Sequence, residues 1–339
     1  MRKSLCWMVL VSSIPLVAQP RVLHFTRTSG FDHGTRAVSY AMFQSIATDL
    51  GVVVDDDATS DPFSDPATLA QYAVIIFSNT SGNAILDAQQ RTHFEQWVAN
   101  GGRVLGIHAA SDTYRHSTAN GNNTGTWDFF PELIGASVQE APNHVDGTPT
   151  YAMQRVGAHP ATYNVPDQWV KAEEYYYWEN GYFAELNTPM LIVEETVGPN
   201  GQVNSYDAPR PMSWYRTPGS SRVVYTALGH AQENYTSDLI FRSHLRDALG
   251  WLLEGVTSVA ERFAPRPSLF PNPVDDLLTI SLDSDALHHR LTVRDATGRA
   301  VLQQRVARIP MQLDVRTLAP GSYSIGVEGH VTTPFLVVR

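Results

Sequence analysis

The sequence is poor in reactive side chains. Of its 339 residues only one is cysteine, Cys6, and only two are lysine, Lys3 and Lys171. No Gly-x-Ser-x-Gly motif occurs, which removes the standard serine-hydrolase elbow. No cluster of basic residues offsets a formal charge of −10, so a nucleic-acid partner is disfavoured. No apolar run approaches the roughly 18 residues that a membrane-spanning helix needs. The N-terminus itself reads Met1-Arg2-Lys3, then an apolar stretch from Leu5 to Val17, then Ala18-Gln19-Pro20. A short positive start, a brief apolar core and a small residue before the break predict a signal peptide over 1–18, cleaved after Ala18. Cys6 lies inside it. The mature chain would then hold no disulfide, no thiol nucleophile and no thiolate metal ligand. Lys171 would be its sole candidate for Schiff-base chemistry.

What remains is globular in composition, with 43% hydrophobic and 17% charged residues. From residue 21 onward strand and helix signals alternate. Strands are predicted over 21–26, 52–54, 72–78 and 103–108, and helices over 35–50 and 87–100. The run YAVIIFS at 72–78 is apolar throughout, as expected of a parallel strand covered on both faces. Alternation of this kind predicts a doubly wound, mostly parallel α/β sheet. Residues 111–219 are loop-rich and aromatic, with short strands near 151–156, 190–194 and 212–216. A buried strand over 222–228 and an amphipathic helix over 237–253 close this domain, which we bound at 21–256. A linker follows over 257–267. The remainder, 268–339, is a series of short strands with turn signals, the pattern of a small antiparallel β-sandwich.

The doubly wound architecture places a binding site at the carboxyl ends of the strands. Phe31-Asp32-His33 follows the first strand, and Ser78-Asn79-Thr80 closes the third. The fourth ends at Gly106-Ile107-His108-Ala109-Ala110-Ser111-Asp112, where small residues flank a histidine at a tight elbow. Leu228-Gly229-His230 closes the late strand. His108 is the candidate base, with His33, Asp112 and His230 as orienting groups or metal ligands. Several histidines and a carboxylate without thiols suit Zn²⁺ or another divalent ion, although no close-spaced ligand motif is present. His159 joins the substrate-binding candidates. Trp127, Tyr176 and Trp214 are either core aromatics or platforms lining a cleft.

Two stretches resemble known families. Leu269-Phe270-Pro271-Asn272-Pro273-Val274-Asp275-Asp276-Leu277, with Val293–Arg299 and Leu318–Tyr323, is similar to the C-terminal sorting domain of the type IX secretion system. That resemblance implies a bacterium of the Bacteroidota, the type IX machinery as a partner, and release or surface anchoring of the cargo. The large domain resembles the ThuA-like, or trehalose-utilisation, family. The matching stretches are Phe31–His33, Phe94–Val98, Gly101–Arg103, Gly106–Asp112, Trp127, Leu133–Ala136, His159-Pro160, Glu173–Tyr176, Pro211–Trp214 and Arg222–His230. The resemblance implies a fold similar to class I glutamine amidotransferases, with His108 where those enzymes carry their cysteine. It also implies a link to trehalose and 3-keto-sugar metabolism. The family's Asp-Glu pair is Glu173-Glu174 here, so the resemblance supplies Glu174 as the acid beside His108, and its sugar link makes Trp127, Tyr176 and Trp214 candidate platforms for the C–H face of a sugar ring. Three functions stay open: a carbohydrate-active enzyme, a surface sugar-binding protein without catalysis, and a scaffold that lost its chemistry with the cysteine.

Overall fold

The computed structural model describes residues 19–115, 126–139, 142–179, 186–193, 210–256, 267–282, 286–327 and 333–338. The segment read as a signal peptide, 1–18, lies outside the described residues, as does 257–266 of the linker.

The large domain runs β1 (Arg21–Phe25), α1 (Arg36–Leu50), β2 (Val53–Asp57), α2 (Pro66–Leu69), β3 (Tyr72–Ser78), α3 (Ala88–Ala99), β4 (Arg103–Ile107), α4 (Phe129–Ile134), β5 (Thr150–Arg155), β6 (Gln168–Ala172), β7 (Thr188–Val193), β8 (Arg210–Arg216), β9 (Val223–Thr226), α5 (Gln232–Thr236) and α6 (Leu239–Leu253). These strands form one nine-stranded sheet ordered β2-β1-β3-β4-β9-β8-β7-β5-β6. From β2 to β9 the neighbours are parallel, and from β9 onward each pairing is antiparallel.

The parallel half is where the sequence pattern is clearest. Every residue of β3 is buried, so its apolar run is matched by cover on both faces. α3 opens on a capping box: the Asp87 carboxylate accepts from Gln90 N–H while the Gln90 side chain reaches back to the Asp87 N–H. α6 sinks Phe241, Leu245, Ala248, Leu249 and Leu252 into the core, at the spacing of one helical face. The β2-β1-β3-β4 order reverses at β1/β3, the switch point outside which ligands bind in open α/β sheets. The predicted helices and buried strands fall where expected. β6, α4 and α5 lack a strong sequence signal. β6 alternates exposed and buried residues, with Trp169 and Lys171 facing in, and is too short to stand out from its loops.

The C-terminal segment carries β10 (Ser268–Phe270), β11 (Leu277–Ser281), β12 (Arg290–Asp295), β13 (Ala300–Arg305), β14 (Met311–Asp314), β15 (Gly321–Val327) and β16 (Thr333–Val337). They form two antiparallel sheets, β10-β11-β14 and β13-β12-β15-β16, around a core that includes Leu278, Ile280, Leu291, Val293, Leu313 and Ile325.

Candidate metal centre

The β4 strand runs directly into His108, which stands in the left-handed region at φ 47°, uncommon for a residue other than glycine. The turn His108–Asp112 is held by the Tyr225 hydroxyl, which donates to the His108 carbonyl at 2.8 Å, and by Ser111 Oγ at 3.3 Å. This elbow buries the His108 side chain completely. β1 delivers His33 to the same edge and β9 delivers His230. The fourth participant arrives from the far side of the sheet. After β6 the chain crosses back, tied by bridges between Tyr176 and His144 and between Trp178 and Val138, and sets Glu174 among the three histidines.

The geometry inside this cluster is specific. His108 Nδ1 lies 2.6 Å from the Ala227 carbonyl, which can only accept, so the hydrogen-bond network assigns the ring proton to Nδ1. Nε2 therefore points its lone pair inward. It accepts from the Tyr176 hydroxyl at 2.9 Å, on a ring stacked 4.6 Å away. The same Nε2 lies 3.2 Å from His33 Nε2 and 3.2 Å from Glu174 Oε2. His230 Nδ1 stands 3.4 Å from that carboxylate oxygen and His33 Nε2 4.0 Å from it. These four ligand atoms all lie within 4.8 Å of one another. For a tetrahedral ion with bonds of about 2.0–2.1 Å, neighbouring ligand atoms are about 3.3 Å apart, so a small contraction closes the shell.

Electrostatics follow from the crowding. Burial raises the Glu174 carboxyl, but the crowding of the His108, His230 and His33 imidazoles around it outweighs burial and holds the group well below the usual carboxylate range. Burial lowers the His33 imidazole, whereas the Glu174 carboxylate raises that of His230. Burial pushes the Tyr176 phenol well up, so it stays a neutral donor. The outer oxygen of Glu174 faces a further histidine: His144 Nε2 is 3.2 Å from Oε1, and its Nδ1 is 2.8 Å from the Val145 carbonyl.

A second layer fixes the ligands. The buried Glu173 carboxylate accepts from the backbone N–H groups of Gly229 (3.0 Å), His230 (3.2 Å) and Glu174 (3.1 Å), and from Asn234 Nδ2 (3.0 Å). Lys171 Nζ stands 3.7 Å from Glu173 and donates to Asp238 at 2.7 Å and to Asn234 Oδ1. Glu173 thus clamps the loop that carries His230. Glu173→Gln turns an amide NH₂ toward N–H donors; we expect divalent-ion affinity to drop about 10- to 100-fold, the usual effect of losing an outer-shell partner. Competition titration with a chromogenic chelator measures this, and unchanged affinity would rule out the clamp.

A family scan places this geometry. The family described as trehalose utilisation matches residues 21–252, and that described as a secretion system C-terminal sorting domain matches 268–337. This chain belongs to the trehalose utilisation family. Its tail marks it as type IX cargo, exported to the cell surface or the medium. The fold is shared with solved structures. A ThuA-like protein from Bacteroides uniformis is 21% identical over 72% of this chain and 96% of its own, with a TM-score of 0.56. One from Parabacteroides merdae is 18% identical over 70% and 91%, with a TM-score of 0.51. A glutamine amidotransferase from Thermotoga maritima also aligns, at 12% identity over 70% of this chain and 99% of its own, with a TM-score of 0.43. A search among curated proteins returns no match.

Of the residues singled out in this family member's sequence, His33, His108, Glu174, Tyr176 and His230 converge. Asp112 borders the cluster, ion-paired to Arg115 at 2.9 Å, with its carboxyl raised by burial. Three others lie elsewhere. Trp127 packs among Phe94, Tyr114, Phe129 and Phe130 and donates to Glu95, so it belongs to the core. Trp214 is fully buried behind Trp178 and donates to the Ile134 carbonyl. His159 caps the turn 160–162, stacks on Tyr215 and meets Trp251 edge-on, near the amino-terminal end of β9, at the opposite edge of the sheet. His144 could not be placed from sequence, because its position depends on pairing between two loops.

His159 carries a stability prediction instead. Burial, with help from the nearby His244 and Arg222, pushes its imidazole down to about 4, from the ordinary 6.5. The unfolded chain takes up this proton first, so the contribution is complete above pH 6.5 and is lost as pH falls toward 4. The loss amounts to about 2–3 kcal/mol. His159→Phe keeps the stacking and should flatten the pH dependence of urea unfolding across that window; an unchanged slope would contradict it.

Proposed function

We propose that the protein is an exported enzyme that performs metal-assisted acid–base chemistry on carbohydrate, with 3-keto glycosides as the substrate class. The observation that carries this reading is the set of lone pairs meeting at one point. His108 Nε2, His33 Nε2 and Glu174 Oε2 face each other at 3.2–4.0 Å with the Tyr176 hydroxyl as the donor among them. Acceptors this close repel unless a proton or a cation stands between them, and three imidazoles with one carboxylate are a donor set for a first-row divalent ion. The His108 Nδ1–H bond to a backbone carbonyl is the usual outer partner of a ligating histidine.

A bound ion would supply Lewis-acid stabilisation of negative charge on a carbonyl oxygen. The chain's own residues divide the remaining work. A 3-keto group acidifies the C2–H bond, and the proton goes to a base bordering the cluster, for which His144 and Asp112 are the placed groups. The neutral Tyr176 phenol is a donor facing the interior, and it would release the single Nε2 lone pair of His108 to an incoming ion. Departure of the C1 substituent, which takes up a proton as it leaves, completes a redox-neutral β-elimination. Family membership supports the carbohydrate class and the elbow geometry supports a site at the sheet edge; the fold alone would license neither.

The test is to incubate the zinc-loaded protein with 3-keto-trehalose in D₂O and follow the C2 position by NMR. Exchange or elimination that a chelator abolishes is the expected result. Binding without exchange would replace the enzyme by a sugar-binding protein. Activity untouched by chelator would remove the metal from the reading.

A further inference from the structure

The expectation that tryptophans stack on the sugar fails on burial, since Trp127 and Trp214 are both inside the core. A different aromatic stands at the site. Phe31 is 67% exposed, and its ring meets the His33 ring edge-on at 4.8 Å. The His33 ring in turn meets that of His108 at 4.7 Å. An apolar ring is therefore held in solvent one side chain away from the ligand cluster.

Its exposure is built into the loop. The Phe31 carbonyl accepts from Ser81 Oγ at 2.7 Å and from Thr28 Oγ1 at 3.2 Å. Ser29 N–H and Gly30 N–H donate to the Ser81 carbonyl at 2.8 and 3.3 Å. Gly30 lies so close to Ser81 and Gly82 that a Cβ there would meet Ser81 Oγ at 2.9 Å. Gly82 N–H reaches the Asp112 carbonyl at 3.1 Å, linking the loop to the elbow of His108. The backbone on either side of Phe31 is thus fixed while its ring points away from the core.

We propose that Phe31 is the stacking platform for a pyranose ring, placed so that a reacting carbon of the sugar lies over the His33, His108, Glu174 and His230 cluster. The proposal rests on the carbohydrate reading above and adds the residue that recognises the ring. The chemistry suits it: an aromatic face is electron-rich and matches the C–H face of a pyranose, while the hydroxyls around the sugar rim need polar surroundings. Ser29 and Asp32 beside Phe31 are exposed and polar. An isolated apolar ring set among such residues fits a small amphipathic ligand, whereas a protein partner would want a contiguous apolar patch.

The experiment compares the full-length protein, loaded with zinc, with its Phe31→Ala and Phe31→Trp variants. Zinc affinity is measured by competition titration. Binding of trehalose, 3-keto-trehalose and methyl α-glucopyranoside is measured by calorimetry, with acyclic mannitol as the control lacking a ring face. The expected result is that Phe31→Ala binds pyranosides at least about tenfold more weakly and Phe31→Trp as well as the parent, with zinc affinity the same in all three. Pyranoside binding unchanged in Phe31→Ala would overturn the platform while leaving the carbohydrate reading standing. Loss of zinc together with sugar would make Phe31 a support for His33 and overturn the proposal as well. Absence of pyranoside binding by the zinc-loaded parent would overturn both readings.

Discussion

Replacing His108 with alanine is expected to lower divalent-ion affinity by at least about 100-fold and to abolish any ion-dependent stabilisation of the large domain. Two consequences of the substitution must be separated. One is loss of the ligand atom itself, the Nε2 lone pair aimed at His33 and Glu174. The other is structural: the Tyr176 hydroxyl and the Ala227 carbonyl lose their partner in a buried place, at a cost of about 1–3 kcal/mol each. Glu174→Gln distinguishes them, since it preserves shape and leaves the His108 bonds to Tyr176 and Ala227 in place. An ion present at 100 times its dissociation constant stabilises the folded chain by about 2.7 kcal/mol. In a domain of this size that corresponds to a rise in Tm of about 5–10 °C. Calorimetry with and without zinc should show the rise in the parent protein and in neither variant. Elemental analysis of protein purified without chelator should find one ion per chain in the parent alone. A variant that keeps the thermal shift would place the ion elsewhere.

How much of this was legible beforehand differs between the two sides of the site. His33, His108 and His230 follow buried strands of the parallel half, and those strands announce themselves by unbroken apolar runs. Once the strand order is doubly wound, their ends share one edge, so the three histidines could be gathered from sequence. The rim contributed by the antiparallel half was legible only through the family resemblance, which supplied Glu174. β6, the strand that leads to Glu174, is short and half-exposed, with alternating burial. The loops of this half are positioned by isolated bridges such as His144 to Tyr176, which leave no periodic trace. The two tryptophans could not be told apart from cleft residues for a related reason. Composition cannot distinguish a tryptophan that donates to a buried carbonyl, as Trp214 does, from one that faces a cleft. Phe31 went unnoticed as a platform because exposure of an apolar side chain is a property of the fold rather than of its neighbours in sequence. The sandwich tail was readable throughout except for β10 and β13, which are short strands with no apolar alternation strong enough to mark them.

A large loss from a single methyl group is expected at Gly229, the residue before His230. Its φ of 120° lies in a region that side chains rarely adopt. A Cβ there would meet the Tyr235 hydroxyl at 2.7 Å, Ile107 Cγ2 at 2.9 Å and Phe241 Cζ at 3.2 Å. Those neighbours cannot retreat easily. Ile107 and Phe241 are fully buried, and the Tyr235 hydroxyl donates to the Gly229 carbonyl at 2.9 Å. Backbone strain of about 1–3 kcal/mol and overpacking of about 1–3 kcal/mol add up to a destabilisation of roughly 2–6 kcal/mol for Gly229→Ala. The damage should also be functional. Gly229 N–H and His230 N–H share the Glu173 carboxylate, so a shift of the loop pulls His230 Nδ1 out of reach of Glu174. Urea unfolding reports the first effect and zinc titration under native conditions the second. If the loop is the mechanical link between β9 and the ligand cluster, both fall together. A variant that is destabilised yet binds zinc as tightly as the parent would show instead that His230 is held independently of its backbone.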